Sequence, residues 1–295
     1  MKRIGFVCAG IIVFLSLIIP GVFAEPTAEQ WGAIMNIAGR QRMLSQKMSK
    51  EALLVAAKIN PEENRKALAE TMLLFEKSLK GLIEGDASLN LPLCEFPDIV
   101  GQLERVSLIF SEMDGILDKT VEGSSLDIND MRQIAKASLP LLTSADKAVQ
   151  MFNEEAKRIL SKDPTLATTI NIAGRQRMLS QKMAKESLLL YLKVDVDVQA
   201  ASLGKTAALF EQSLKGLKFG DNDLGLMPLK QDDIKAQIEV VESSWIILKP
   251  MLENIVATYL THVIGAEEIK KIGELTSTLL AESNKAVAMY EKLAQ

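Results

Sequence analysis

The sequence predicts an all-α protein made of two tandem up-down four-helix bundles behind an export signal. Composition is the first observation. Ala, Leu, Lys, Glu and Met are abundant, aromatics are 5% of 295 residues, and no stretch alternates apolar and polar residues as a half-buried strand does. An internal repeat is the second. Asn36 to Glu51, NIAGRQRMLSQKMSKE, returns 135 positions later as Asn171 to Glu186, NIAGRQRMLSQKMAKE, and only Ser49 differs, becoming Ala184. The third is punctuation. Breaks fall at Asn60-Pro61, from Gly85 to Pro97, at Glu122-Gly123-Ser124, at Asp163-Pro164, from Gly220 to Pro228 and near Gly265. They leave helices of roughly 25–35 residues, four in each repeat and joined by short connections.

Residues 1–24 have the pattern of a signal peptide. Lys2 and Arg3 precede the apolar stretch Ile4 to Ile19, Pro20-Gly21 breaks it, and Val22 and Ala24 are the small residues before an expected cut. An uncleaved anchor is the alternative, although the apolar stretch is short for a membrane span. Cys8 lies inside that stretch and not after the cut, which argues against a lipid anchor. No second hydrophobic segment follows, so the mature chain is expected to be periplasmic or secreted and not to span a membrane. Without Lys2 and Arg3, 32 basic residues face 38 acidic ones, a net charge of −6 with no nucleic-acid footprint. Cys94 is then the sole cysteine, expected as a half-buried loop thiol without a disulfide. His262 is the single histidine, and no Cys/His/carboxylate cluster points to a metal or another cofactor.

Repeat one is assigned to 25–160 and repeat two to 164–295. On the first helix, Ile34, Ile37, Gln41, Leu44, Met48, Ala52, Val55 and Ile59 share the face expected to pack into its own bundle. Its partner is the second-helix stripe Leu68, Met72, Phe75, Leu79, Leu82. Gln41 on that face needs a hydrogen-bond partner if buried. Asn36, Arg40, Lys47 and Lys50 are expected on a solvated face. A third stripe, Trp31, Met35, Ala38, Arg42, Ser45, Ser49 and Ala56, recurs as Leu166, Ile170, Ala173, Arg177, Ser180, Ala184 and Tyr191. It is a seam of small and apolar residues interrupted by one arginine, and it predicts a helix partner outside its own bundle. The natural partner is the duplicate helix, in a pseudo-symmetric pair within one chain or across a homodimer.

The second helices match at the same offset, Leu74 to Leu82 with Leu209 to Leu217 and Gly85-Asp86 with Gly220-Asp221. After that the register is read as slipping, which aligns Leu103 to Met113 with Val241 to Met251 at mostly different residues. Lys147-Ala148-Val149 then matches Lys285-Ala286-Val287, and Met151-Phe152 matches Met289-Tyr290. Asp163 before Pro164 reads as a cap and first turn. Pro250 is expected to kink the third helix of repeat two.

Most of the duplicate has drifted while the motif keeps even its polar residues, which favours a functional site over a recent duplication. A buried arginine is costly without a counter-charge, and no acidic residue lies between Ala38 and Lys50. Two facing guanidiniums could clamp a small oxyanion. Alternatively, each could bond helix C-terminal carbonyls or a carboxylate from another helix. The candidate ligand-binding set is Arg42, Arg177, Gly39, Gly174, Ser45, Ser180, Gln46 and Gln181. The motif has no nucleophile–base pair and no paired carboxylates, so an enzyme is not expected.

The pattern Asn-Ile-Ala-Gly-x-x-Arg-Met-x-Ser, with Phe75-x3-Leu79-x2-Leu82-x2-Gly85 and its copy from Phe210 to Gly220, resembles the PilJ-type and nitrate/nitrite-sensor N-terminal domains. Those are periplasmic four-helix bundles at the front of sensor kinases and type IV pilus chemotaxis transducers. The resemblance implies that Arg42 and Arg177 match an arginine which binds nitrate across a homodimer interface in the nitrate sensors. A second basic position falls on Lys47 and Lys182, where those sensors carry arginine. No transmembrane, kinase or methyl-accepting region accompanies the repeats in this sequence, so action through a membrane sensor kinase or chemotaxis transducer is expected. The functional expectation is an exported module that captures a small anion. A structural interaction module, associated with pili or chemotaxis and free of ligand, is the alternative.

Overall fold

A computed structural model describes residues 25–159 and 164–293. The expected signal segment 1–24 and the expected cap at Asp163 lie outside the described residues. Eight α-helices follow in order among those residues: α1 Ala28–Ala56, α2 Pro61–Glu84, α3 Pro97–Val121, α4 Ile128–Ile159, α5 Pro164–Tyr191, α6 Val196–Phe219, α7 Asp232–Thr258 and α8 Ala266–Lys292. Their ends follow the local chemistry. Thr27 and Gln30 close a reciprocal capping box at the start of α1, and Pro61 and Pro97 occupy first-turn positions where a missing N–H costs nothing. Helix α7 continues through Pro250 and α4 through Pro140.

The helices form two up-down groups of four, α1–α4 and α5–α8, joined along a shared α1–α5 seam; α4 also packs on α5 and α8 on α1. Helices α1 and α5 run side by side in the same direction. Residues Asn36 and Arg42 meet Arg177 and Asn171, and Gln46 meets Lys185 further along. One apolar core runs through both groups, from Leu44 and Phe75 to Phe210 and Val287. The predicted seam between duplicated helices is therefore present, within one chain.

Two readings of the sequence are corrected. The solvated face is the first. Of the 29 residues of α1, 22 are buried, including Lys50, while Asn36, Arg40 and Lys47 are half-buried. The charged face fails to reach water because α1 has neighbours from both groups around it, so no side is left free. The second is the register after the second helix. Phe110 packs on Phe75 with ring centroids 4.8 Å apart, and Trp245 packs on Phe210 at 4.7 Å. The buried α3 positions Ile99, Leu103, Val106, Phe110, Met113 and Leu117 correspond to Ile234, Ile238, Val241, Trp245, Leu248 and Leu252 of α7, still at the 135-residue offset. Aligning Leu103 to Met113 with Val241 to Met251 displaced one helix by nearly a turn. The shift enters only in the next connection, where exposed residues tolerate insertion.

Gln41 is buried on the apolar face as expected, and its Nε2 donates to Ser78 Oγ at 2.6 Å; Gln176 donates to Ser213 Oγ at 2.6 Å in the copy. Ser78→Ala would strand the whole buried amide, since Gln41 Oε1 already lacks a partner. The expected cost is about 1–3 kcal/mol by chemical denaturation. The double variant Ser78→Ala/Gln41→Met should recover most of it; a double variant as unstable as the single one would refute this account.

Candidate functional site

The site follows from two glycines and two arginines on the α1–α5 seam. A Cβ added at Gly39 would stand 3.2 Å from Arg177 Nη2 and 3.5 Å from Arg42 Nη2, and a Cβ at Gly174 would meet the same two atoms at the same distances. Both guanidiniums thus converge over the helix crossing, and a larger residue at either glycine would crowd them. Arg42 is fully buried and Arg177 is 3% exposed.

Their partners are not equivalent. Arg42 Nη1 forms an ion pair with Asp146 Oδ1 on α4 at 2.7 Å, and its Nη2 donates to the Asn171 carbonyl at 3.1 Å. Arg177 has only neutral acceptors: Asn36 Oδ1 at 2.7 Å, the Asn36 carbonyl at 3.1 Å and Asn284 Oδ1 at 3.4 Å. The alternative of a carboxylate from another helix thus describes Arg42; the carbonyls that both arginines reach, of Asn171 and Asn36, lie in the first half of their helices and not at C-termini, and Arg177 has no direct carboxylate. Asn284 occupies the position in α8 that Asp146 holds in α4, one residue before the matched Lys-Ala-Val. Because Arg42 turns to Asp146, Asn171 Oδ1, the counterpart of Asn36 Oδ1, is buried without a partner. The Nε groups of both arginines are also buried without an acceptor.

Charge is in excess here. Arg40 and Arg175 flank the pair, and Asp146 and Glu291 are the facing carboxylates, so four arginines meet two acids. Burial, with the Arg40 and Arg42 charges, pulls Arg177 down to about 9 against the opposing pull of Glu291. Burial raises Asp146, but Arg42 and Gln150 more than offset it and hold the carboxyl below its ordinary value. Burial leaves Glu291 above its ordinary value despite Asn36, Arg177 and Arg40. Asn36 Nδ2 donates to Glu291 Oε2 at 2.6 Å, so Asn36 bridges Arg177 to a half-buried acid. Asn36, Arg40 and Glu291 also line a surface cavity of about 340 Å³, which reaches the side chain holding Arg177.

The other candidate residues bond elsewhere. Ser45 and Ser180 donate to the carbonyls of Arg42 and Arg177, each at 2.8 Å. Gln46 donates to the Ser138 carbonyl and accepts from Lys185 Nζ at 2.9 Å, while Gln181 donates to the Thr276 carbonyl. These contacts belong to a second buried polar cluster along the seam. Lys47 and Lys182 pair with Glu51 and Glu186 and donate to Thr71 and Thr206, away from the arginine pair. Cys94 is free and half-buried. No group of three or more His, Cys, Asp or Glu residues could hold a metal among the described residues. Sequence reasoning missed Asp146, Asn284 and Glu291. The signals for them were the Lys-Ala-Val match beside the first two and the Met289-Tyr290 match beside Glu291.

The fold and site define a class: a duplicated four-helix domain whose repeated arginine motif lies at the seam between the copies. The family model described as Type IV pili methyl-accepting chemotaxis transducer N-term, PilJ, matches residues 27–127 and 159–264, and the chain belongs to that family. It is 30% identical over 152 residues to the methyl-accepting chemotaxis protein McpN of Pseudomonas aeruginosa, covering 52% of this chain and 26% of that protein. It is 24% identical over 260 residues to Protein PilJ of the same organism, covering 87% of this chain and 37% of that one. The chain therefore spans about a quarter of the length of one of these relatives and somewhat more than a third of the other. Among solved structures, the ligand-binding domain of the P. aeruginosa nitrate receptor McpN aligns at a TM-score of 0.37 and 32% identity, over 42% of this chain and 96% of that one. No described helix is long and apolar enough to cross a membrane.

Lys185 gives this region a pH signature. It is buried, donates to Gln46 Oε1 and Ser138 Oγ at 2.9 Å each, and burial draws it down to about 8, Glu186 opposing and Lys182 adding. An unfolded lysine titrates near ~10.4, so between those values the unfolded chain binds more protons and stability rises with pH. Below pH 8 the full penalty of the buried charge is present. Lys185→Met should remove this contribution: from pH 7.5 to 10 the wild-type melting temperature should rise relative to the variant's. Parallel pH profiles would refute the assignment.

Proposed function

We propose that this chain is an exported sensory module that takes a small oxyanion at the Arg42–Arg177 pair and passes the event to a membrane sensor kinase or chemotaxis transducer. One observation carries the reading: two buried guanidiniums converge on Gly39 and Gly174, each keeps an unpartnered Nε–H, and positive charge is in excess around them. Unused buried donors on a cation pair are what a planar or tetrahedral oxyanion satisfies, with little competition from water. Family membership supports the sensory role, and the printed description of one relative as a nitrate receptor makes nitrate the first anion to try.

A structural interaction module without ligand is the second reading. The Arg42–Asp146 ion pair favours it, because one of the two arginines is already neutralised inside the fold. Thermal melting of the mature chain with nitrate, nitrite, sulfate and acetate, against chloride at matched ionic strength, separates the two. An anion at ~100 times its dissociation constant should stabilise the fold by about 2.7 kcal/mol. Arg177→Met and Arg42→Met, which keep much of the apolar bulk, should each abolish most of that shift if the two arginines share one anion. A melting point indifferent to every anion would leave the structural reading standing.

A further inference from the structure

The two halves of the seam repeat many buried polar contacts but exchange acid and amide at two positions: Asp146 on α4 answers to Asn284 on α8, and Asn153 on α4 to Glu291 on α8. Asp146 on α4 and Asn284 on α8 hold equivalent positions, and each faces the motif arginine of its own half at hydrogen-bond distance. We infer that Asp146 is a built-in competing anion: it occupies Arg42, leaves Arg177 as the charge an incoming oxyanion meets, and sets how tightly the anion is held. This deepens the anion-binding reading and rests on it.

Three further observations support the assignment. The Asp146 side chain is 33% exposed whereas Arg42 is 0% exposed, so the acid can swing toward solvent while the guanidinium stays in place. Released from Asp146, Arg42 would have Asn171 Oδ1 across the seam on α5 as the counterpart of the acceptor that Arg177 already uses on α1, and that oxygen is unpartnered. Asp146 also ties α4 to the seam through Arg42, and its other oxygen accepts from Gln150 at 2.7 Å on the same helix. Displacing the acid would therefore remove the ionic tie between α4 and α1, leaving the Gln46–Ser138 bond and the apolar packing, while α8 keeps its contacts through Asn284 and Glu291. Binding would be read out as an asymmetric change, on α4 alone. The charged groups facing Asp146 are Arg42 and Arg175, both from the seam helices.

The test uses two opposite exchanges in the whole chain. Asp146→Asn removes the internal competitor and gives Arg42 the amide that faces Arg177 in the second half. Asn284→Asp adds a competitor to Arg177. Isothermal titration with sodium nitrate, and with whichever of nitrite, sulfate or acetate stabilises the wild type most, should give about tenfold tighter binding for Asp146→Asn and about tenfold weaker binding for Asn284→Asp. Melting without anion should move the other way. Asp146→Asn leaves a buried guanidinium unpaired and lowers the melting temperature, and Asn284→Asp raises it. A purely structural role for Asp146 would instead lower both stability and affinity. Wild-type binding with affinities unchanged or reduced in Asp146→Asn overturns the inference and leaves the anion reading intact. Absence of binding in both wild type and Asp146→Asn overturns both. Binding gained only in Asp146→Asn supports the inference, with Asp146 then holding the site shut.

Discussion

The structure depends on burying two helices that are too polar to be buried alone. Helix α1 places Gln41, Arg42, Ser45, Gln46, Ser49, Lys50 and Glu51 out of water, and α5 repeats nearly all of them. A helix of this composition against an ordinary apolar core would leave donors and acceptors without partners, at a cost of roughly 1–3 kcal/mol for each. Apposing the helix to its own duplicate supplies partners in the right places. Gln46 accepts from Lys185, Arg42 donates to the Asn171 carbonyl and Arg177 to that of Asn36. The remaining groups reach the outer helices, Gln41 to Ser78 and Lys47 to Thr71.

That constraint explains why the motif keeps its polar residues while the rest of the duplicate drifted. Most of the held identities have a buried hydrogen bond to account for them, repeated in both halves at closely similar distance. Ser45 and Ser180, Gln41 and Gln176, and Lys47 and Lys182 are of this kind. At two places the bonding does not repeat: Lys185 donates to Gln46 while Gln181 Oε1 has no partner, and the two arginines over their glycines differ in acceptor. Glycine at 39 and 174 lets two like charges approach over the crossing. Like charges converging in a buried place are unfavourable unless something between or beside them is negative. In one half that something is Asp146. The other half makes do with amide and carbonyl oxygens and a more distant Glu291, and this imbalance gives the seam its chemical character.

Much of the architecture was legible in the sequence. Turn residues set the helix ends, the 135-residue offset set the duplication, and the stripe Trp31, Met35, Ala38, Arg42, Ser45 marked the seam before any partner was known. The register of α3 against α7 was not legible, because buried Leu, Val, Met and Ile substitute for one another and leave no identities to align. The aromatic contacts at Phe110 and Trp245 fix it in three dimensions. The supposed solvated face failed for a related reason. Helical periodicity tells which residues share a side, but not whether another helix covers that side.

The sequence by itself determined that the protein is a helical duplication and that Arg42 and Arg177 stand apart from their neighbours, since both facts lie in local pattern and self-comparison. Tertiary structure alone decided what the arginines touch. Asp146 lies 104 residues from Arg42 along the chain and Asn284 lies 107 from Arg177. Which acids and amides close around a buried charge depends on packing between helices far apart in sequence, and no periodicity within one helix encodes it.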